Sequence, residues 1–120
     1  MTFEYDDQNI FAKILRGEIP NDTVFESETA LAFRDINPQA PDHVLVIPKG
    51  AYMSLDDFAA NASADEQVGF MQAVAAVCDA LGVDAGFRAI ANTRQHGAQD
   101  VPHFHLHILA GKQMGAILPA

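Results

Sequence analysis

Three histidines alternate with apolar residues in His103-Phe104-His105-Leu106-His107-Ile108-Leu109. On a strand, alternate side chains share a face, so Phe104, Leu106 and Ile108 are expected in a core. The three imidazoles then line the opposite face, roughly 7 Å apart. One reading is an ordinary half-buried strand with polar residues outward, although such faces prefer Thr, Lys or Glu. A second is zinc, because two His separated by one residue on a strand can ligate one ion. His103 and His107 would lie roughly 13 Å apart at their backbones, so a closed site needs a remote ligand such as His43. A third reading is covalent catalysis at phosphorus. Neutral imidazole is a good nucleophile near neutral pH and divides one hard substitution into two easier ones. Clustered histidines lower one another's pKa, which keeps the nucleophile unprotonated while a neighbour donates hydrogen bonds. A flanking Gly/Gln loop can add backbone N–H donors for the phosphoryl oxygens.

The elements that position these residues follow from periodicity and punctuation. Ile10, Phe11, Ile14 and Leu15 form one apolar face of a helix beginning near Asp7 or Asn9, stopped by Gly17 and Pro20. Thr23–Glu26 and Ala30–Arg34 read as short strands around a turn, and His43–Ile47 as a β-branched strand after a Pro-punctuated loop. Ser54 caps a short turn through Phe58. Ser63 and Glu66 have capping-box spacing at the head of the main helix. Phe70, Met71, Val74, Val77, Cys78 and Leu81 are its expected apolar stripe, and Gly82 its stop. Cys78 in that stripe reads as a small buried hydrophobe. Gly86–Asn92 and His103–Leu109 read as the last two strands. Only one long helix lies between strands, so the expected class is α+β with one antiparallel sheet.

The chain has 120 residues, the size of one domain, expected to span 1–120. It carries 16 acidic and 7 basic side chains, a net charge of −9. Such a surface argues against tracking a nucleic-acid backbone or adsorbing to an anionic membrane. The charge is uneven. Residues 1–85 hold 15 acids and 4 bases, whereas 86–120 hold one acid and three bases together with four of the five histidines. A phosphate is better tolerated in that second part, with neutral imidazoles and backbone N–H groups rather than Arg88, Arg94 or Lys112 as its partners. A single cysteine permits no intrachain disulfide, the N-terminus lacks the pattern of a signal peptide, and a reducing cytoplasmic setting is expected.

The triad, together with Asn9–Pro20, Leu31–Lys49 and Gln99–Lys112, resembles the histidine triad family of nucleotide hydrolases and transferases, in its Hint branch. The likeness runs from about Asp7 to the end in three separated blocks. Superfamily transferases resembling galactose-1-phosphate uridylyltransferase carry Gln where His107 stands, which favours hydrolysis. The resemblance implies a five-stranded antiparallel sheet with two main helices, a homodimer with a sheet continuous across the interface, and no cofactor or metal. It implies cleavage of purine nucleoside 5′-phosphoramidates, adenosine preferred, through a nucleotidyl-histidine. The rivals are a dinucleoside polyphosphate hydrolase and a non-enzymatic zinc-binding or regulatory protein.

By that resemblance His105 is the nucleophile and His107 contacts the phosphate oxygens. His103 supports the site, and His43 is a more distant histidine bonded to it. Asp35 takes the ribose hydroxyls, a role its two acceptor oxygens suit, although an Asp before Ile-Asn-Pro is also a common turn residue. Ile10, Phe11, Ile14, Phe33, Ile36 and Leu45 form the apolar base pocket. Asn92 lies near the ribose and phosphates, and Gln99 in the loop before the triad. Two departures stand out. Ala98-Gln99 replaces the family's frequent Gly-Gln, and if a positive φ is required there, Gly97 is expected to supply it. Asp100 stands where animal members carry Ser, and is expected to meet the leaving amine. His96 matches no motif and is expected as an exposed loop residue.

Overall fold

A computed structural model describes residues 2–119. The order is α1 (Ile10–Leu15), β1 (Thr23–Glu26), β2 (Ala30–Arg34), β3 (Asp42–Pro48), α2 (Leu55–Asn61), α3 (Ala64–Leu81), β4 (Arg88–Ile90) and β5 (Leu106–Ala110). The strands form one sheet in the order β1-β2-β3-β5-β4, with every pairing antiparallel.

Alternation in β2 and β3 sorts the sheet into two unlike faces. Ala30, Ala32, Val44, Val46 and Ile108 turn toward Phe70, Ala73 and Val77 of α3 and Phe58 of α2. Leu31, Phe33, Leu45 and Ile47 turn the other way, against Phe11 of α1. Small residues on the first face let the long helix lie close, where interlocking side chains fill space at crystal-like density. Register then assigns the triad strand: Leu45 pairs with His107 and Val44 with Ile108, so His107 shares the α1 face.

The helix ends are built as their residues dictate. Asn9 accepts a hydrogen bond from the Ala12 amide at the start of α1. Ser63 and Glu66 close a reciprocal capping box on α3, and Gly82 ends it in the left-handed region at φ 66°.

Four expectations need correction. The sheet carries three helices, because the segment after Ser54 makes a seven-residue helix rather than a turn. The stripe on α3 is narrower than expected. Phe70, Ala73 and Val77 are buried, but Met71, about 100° around the helix from Phe70, is 64% exposed. β4 is only three residues long, and β5 begins at Leu106, not His103. Before it, the Phe104 amide bonds the Tyr52 carbonyl at 2.7 Å, so this stretch is tied to the segment ahead of α2. Finally, Ala98 itself takes φ 57°, while Gly97 serves close approach: a Cβ there would lie 2.5 Å from the Thr93 nitrogen. No helix among the described residues is long and apolar enough to cross a membrane.

Candidate active site

The triad histidines are held by hydrogen bonds that fix where each proton sits. The His105 ring is 2% exposed, and its Nδ1 lies 2.7 Å from the main-chain oxygen of His103. A carbonyl only accepts, so Nδ1 must carry the proton. Nε2 of neutral His105 is therefore left with its lone pair. Phe11 meets the same ring edge-on, with centroids 5.0 Å apart.

His107 is set by a different route. The backbone N–H of Gln39 donates to Nδ1 of His43 at 3.1 Å, which leaves the proton of neutral His43 on Nε2. That Nε2 lies 2.9 Å from Nδ1 of His107 and donates to it. His107 must then carry its own proton on Nε2, as a donor. Burial, with His105 and His43 nearby, lowers the His107 pKa to about 4 against the opposing pull of Asp100 and Asp35. Burial also lowers His43, with Asp35 opposing. His43 thus acts on His107 and not on His103.

His103 is 0% exposed. Its Nε2 donates to the Pro48 carbonyl at 2.8 Å, and its Nδ1 faces the Tyr5 hydroxyl at 2.6 Å. Burial brings its pKa down to about 4, outweighing the Pro48 carbonyl; His105 lowers it further.

A cavity of about 210 Å³ opens beside His105 and His107. All six expected pocket residues line it: Phe11, Phe33 and Leu45 are buried, whereas Ile10 is at the rim and Ile36 is 88% exposed. Asp35 and Asp100 line it as well. Asp35 makes the local turn that its sequence context suggests. Oδ1 accepts from the Asn37 amide at 2.8 Å in a local turn, and Oδ2 lies 3.5 Å from Nε2 of His43. Asp100 Oδ1 stands 3.5 Å from His105 Nε2 on a largely exposed side chain.

Other expected residues lie elsewhere. Asn92 does not line the cavity, and His96 is exposed. The Gln99 amide is committed to its own loop: it donates to Met53 and Val101 carbonyls and accepts from the Arg94 amide. Arg94 grips Asp56 with both terminal nitrogens, at 3.1 and 2.7 Å, and holds that carboxyl down to about 2. Arg88 bonds tail carbonyls of Gly115 and Ala116. Among the described residues, Arg34 is the only base lining the cavity, and it faces Asp42 at 3.4 Å.

Asp35, His43 and His107 bring ligand-type atoms within 4.8 Å of one another, the one such trio among the described residues. Their geometry is that of a hydrogen-bond relay. A cation there would have to displace the His43 proton and turn the two rings apart, because their facing nitrogens already share it. Tyr5 and the Arg94–Asp56 pair have no signature in the sequence: neither belongs to a periodic face, and their partners lie 98 and 38 positions away in the chain.

This arrangement on a five-stranded antiparallel sheet defines a buried histidine cluster beside an apolar pocket. A model of the HIT domain family matches residues 16–114, and the chain belongs to that family. It is 50% identical over 119 residues to an uncharacterized 13.2 kDa HIT-like protein of Azospirillum brasilense, covering 98% of both chains. It is 41% identical over 114 residues to the purine nucleoside phosphoramidase of Escherichia coli, covering 93% of this chain and 94% of that protein. A solved histidine triad protein from Clostridium difficile superposes with TM-score 0.81 at 39% identity, covering 96% of this chain and all of that one.

Proposed function

We propose that this protein hydrolyses purine nucleoside 5′-phosphoramidates, with adenosine preferred, through a nucleotidyl-histidine intermediate. The observation that carries this reading is the 2.7 Å bond from His105 Nδ1 to the His103 carbonyl, which reserves the Nε2 lone pair for attack. Nε2 attacks the α-phosphorus, the P–N bond breaks, and the nitrogen leaves as an amine after gaining a proton from solvent. Water then attacks the same phosphorus, releases the nucleoside monophosphate and restores neutral His105. The Nε2–H of His107 donates to a non-bridging oxygen as charge builds there. The apolar floor of Phe11, Phe33 and Leu45 takes the base, and Asp35 the ribose hydroxyls.

The identity to a purine nucleoside phosphoramidase supports this substrate class over a dinucleoside polyphosphate. The decisive measurement is ³¹P NMR of the purified protein with adenosine 5′-phosphoramidate, beside His105→Asn. Conversion to the monophosphate should be seen only with the wild type; turnover that survives in the variant removes His105 as nucleophile. Diadenosine tetraphosphate, run in parallel, should turn over far more slowly.

Asp100, beside the nucleophile, favours leaving groups that are cationic amines. Asp100→Asn should narrow the ratio of turnover between a cationic and a neutral phosphoramidate, and an unchanged ratio removes this role. The protein acts as a cytoplasmic homodimer in this reading. Exposed Val68 and Met71 on α3 and the free edge of β4 support pairing. Sedimentation at micromolar concentration should give the dimer mass.

A further inference from the structure

We infer that Tyr5, in the segment ahead of α1, is a positioning residue that locks the nucleophile's tautomer through His103. This rests on the hydrolase reading above. The His103 ring has no solvent contact, so each of its nitrogens needs a protein partner. Nε2–H has the Pro48 carbonyl; Nδ1 has the Tyr5 hydroxyl at 2.6 Å, with the two rings edge to face at 5.5 Å. Burial raises the Tyr5 pKa, with Asn9 and Arg16 opposing, so near neutral pH the phenol keeps its proton and donates.

The consequence passes along the main chain. The carbonyl of His103 is the acceptor for His105 Nδ1–H. Without the Tyr5 hydroxyl, the buried Nδ1 has no donor. A swap of tautomer does not repair this, because it would set the Nε2 lone pair against the Pro48 carbonyl oxygen. The ring must shift or admit water, and its carbonyl moves with it. A loosened carbonyl lets His105 carry its proton on Nε2, which is the tautomer that cannot attack. Tyr5 does not line the cavity, so nucleotide binding is not its task.

The test is Tyr5→Phe, which removes one oxygen and keeps the ring. Three quantities are read: kcat and KM for adenosine 5′-phosphoramidate, affinity for adenosine 5′-monophosphate, and the ¹⁵N shifts of the His105 ring. The expected result is a fall of about tenfold in kcat, typical of outer hydrogen-bond partners and far short of a full tautomer error. KM and monophosphate affinity should stay near wild type, and the two His105 nitrogen shifts should move toward each other. An unchanged kcat with unchanged ¹⁵N shifts overturns the inference. So does a parallel loss of kcat, affinity and fold, which would make Tyr5 merely structural. If the wild type shows no turnover, the hydrolase reading fails, while the ¹⁵N comparison still decides whether Tyr5 sets the His105 tautomer.

Discussion

The two faces of the sheet use the same strands for opposite ends. Toward α3 the strands present Ala30, Ala32, Val44, Val46 and Ile108, and Phe58, Phe70 and Phe104 meet with ring centroids 5.0 to 5.3 Å apart. That side is closed and apolar. Toward α1 the strands present larger residues, yet the covering helix is only six residues long. A short helix over a broad face leaves part of it uncovered, and the cavity opens there, beside His105 and His107. One face is a closed apolar layer, and the other combines a smaller apolar cluster with the open cavity and its histidines. A single alternating strand can serve both, provided each face has its own cover.

If the faces are divided in this way, damage to one should leave the other's property intact. Phe70→Ala, on the closed face, should lower unfolding free energy by about 3–5 kcal/mol in urea titration. Turnover per folded molecule at low temperature should remain near wild type; a matching loss of kcat would break the division. The histidine face should reveal itself through pH. His103 is held at about 4 in the fold against 6.5 when free. Its folded pKa is depressed, so between these values the unfolded chain binds a proton that the native chain does not. Stability should therefore fall as pH drops from about 6.5 to about 4, by up to about 3 kcal/mol from His103 alone, with His107 acting in the same direction. Chemical denaturation across that window checks the sign, and a flat profile would contradict it. The smallest effect belongs to the loop between the faces. Ala98 sits at φ 57°, where a Cβ is strained, so Ala98→Gly should raise stability by about 0.5–1 kcal/mol in thermal unfolding.

Much of the frame was legible because it rests on local rules. Thr23–Glu26 and Ala30–Arg34 form as the short strands expected around a turn, and the Ser63–Glu66 pair marks the head of α3. What was not legible depends on partners distant in the chain. β5 starts late because Phe104 bonds Tyr52 and His103 bonds Pro48, rather than continuing a ladder. α2 shows no helical period since Phe58 is the one large apolar side chain it buries. Met71 lies about 100° around the helix from Phe70, on the far side from Ala73 and Val77, and so falls outside the buried stripe. Within the site, the residue types pointed to an imidazole nucleophile, and the three buried pocket residues lie beside it. Asn92 and Gln99 line no part of the cavity, Gln99 because its amide is spent on the loop. Tyr5 stands 98 positions from His103, a separation at which no pattern in the chain can signal a bond.

The acceptor that orients His105 is a main-chain oxygen, and this gives the site an unusual mutational profile. No amino-acid exchange at position 103 deletes that oxygen; exchanges there remove only the ring. A substitution survey at position 103 would thus read only the loss of the ring and the shift of backbone it causes, never the loss of the acceptor itself. For redesign, the orientation of His105 is inherited from the path of the chain, so grafting the three histidines onto another strand would transfer the side chains without the bond that orients the middle one.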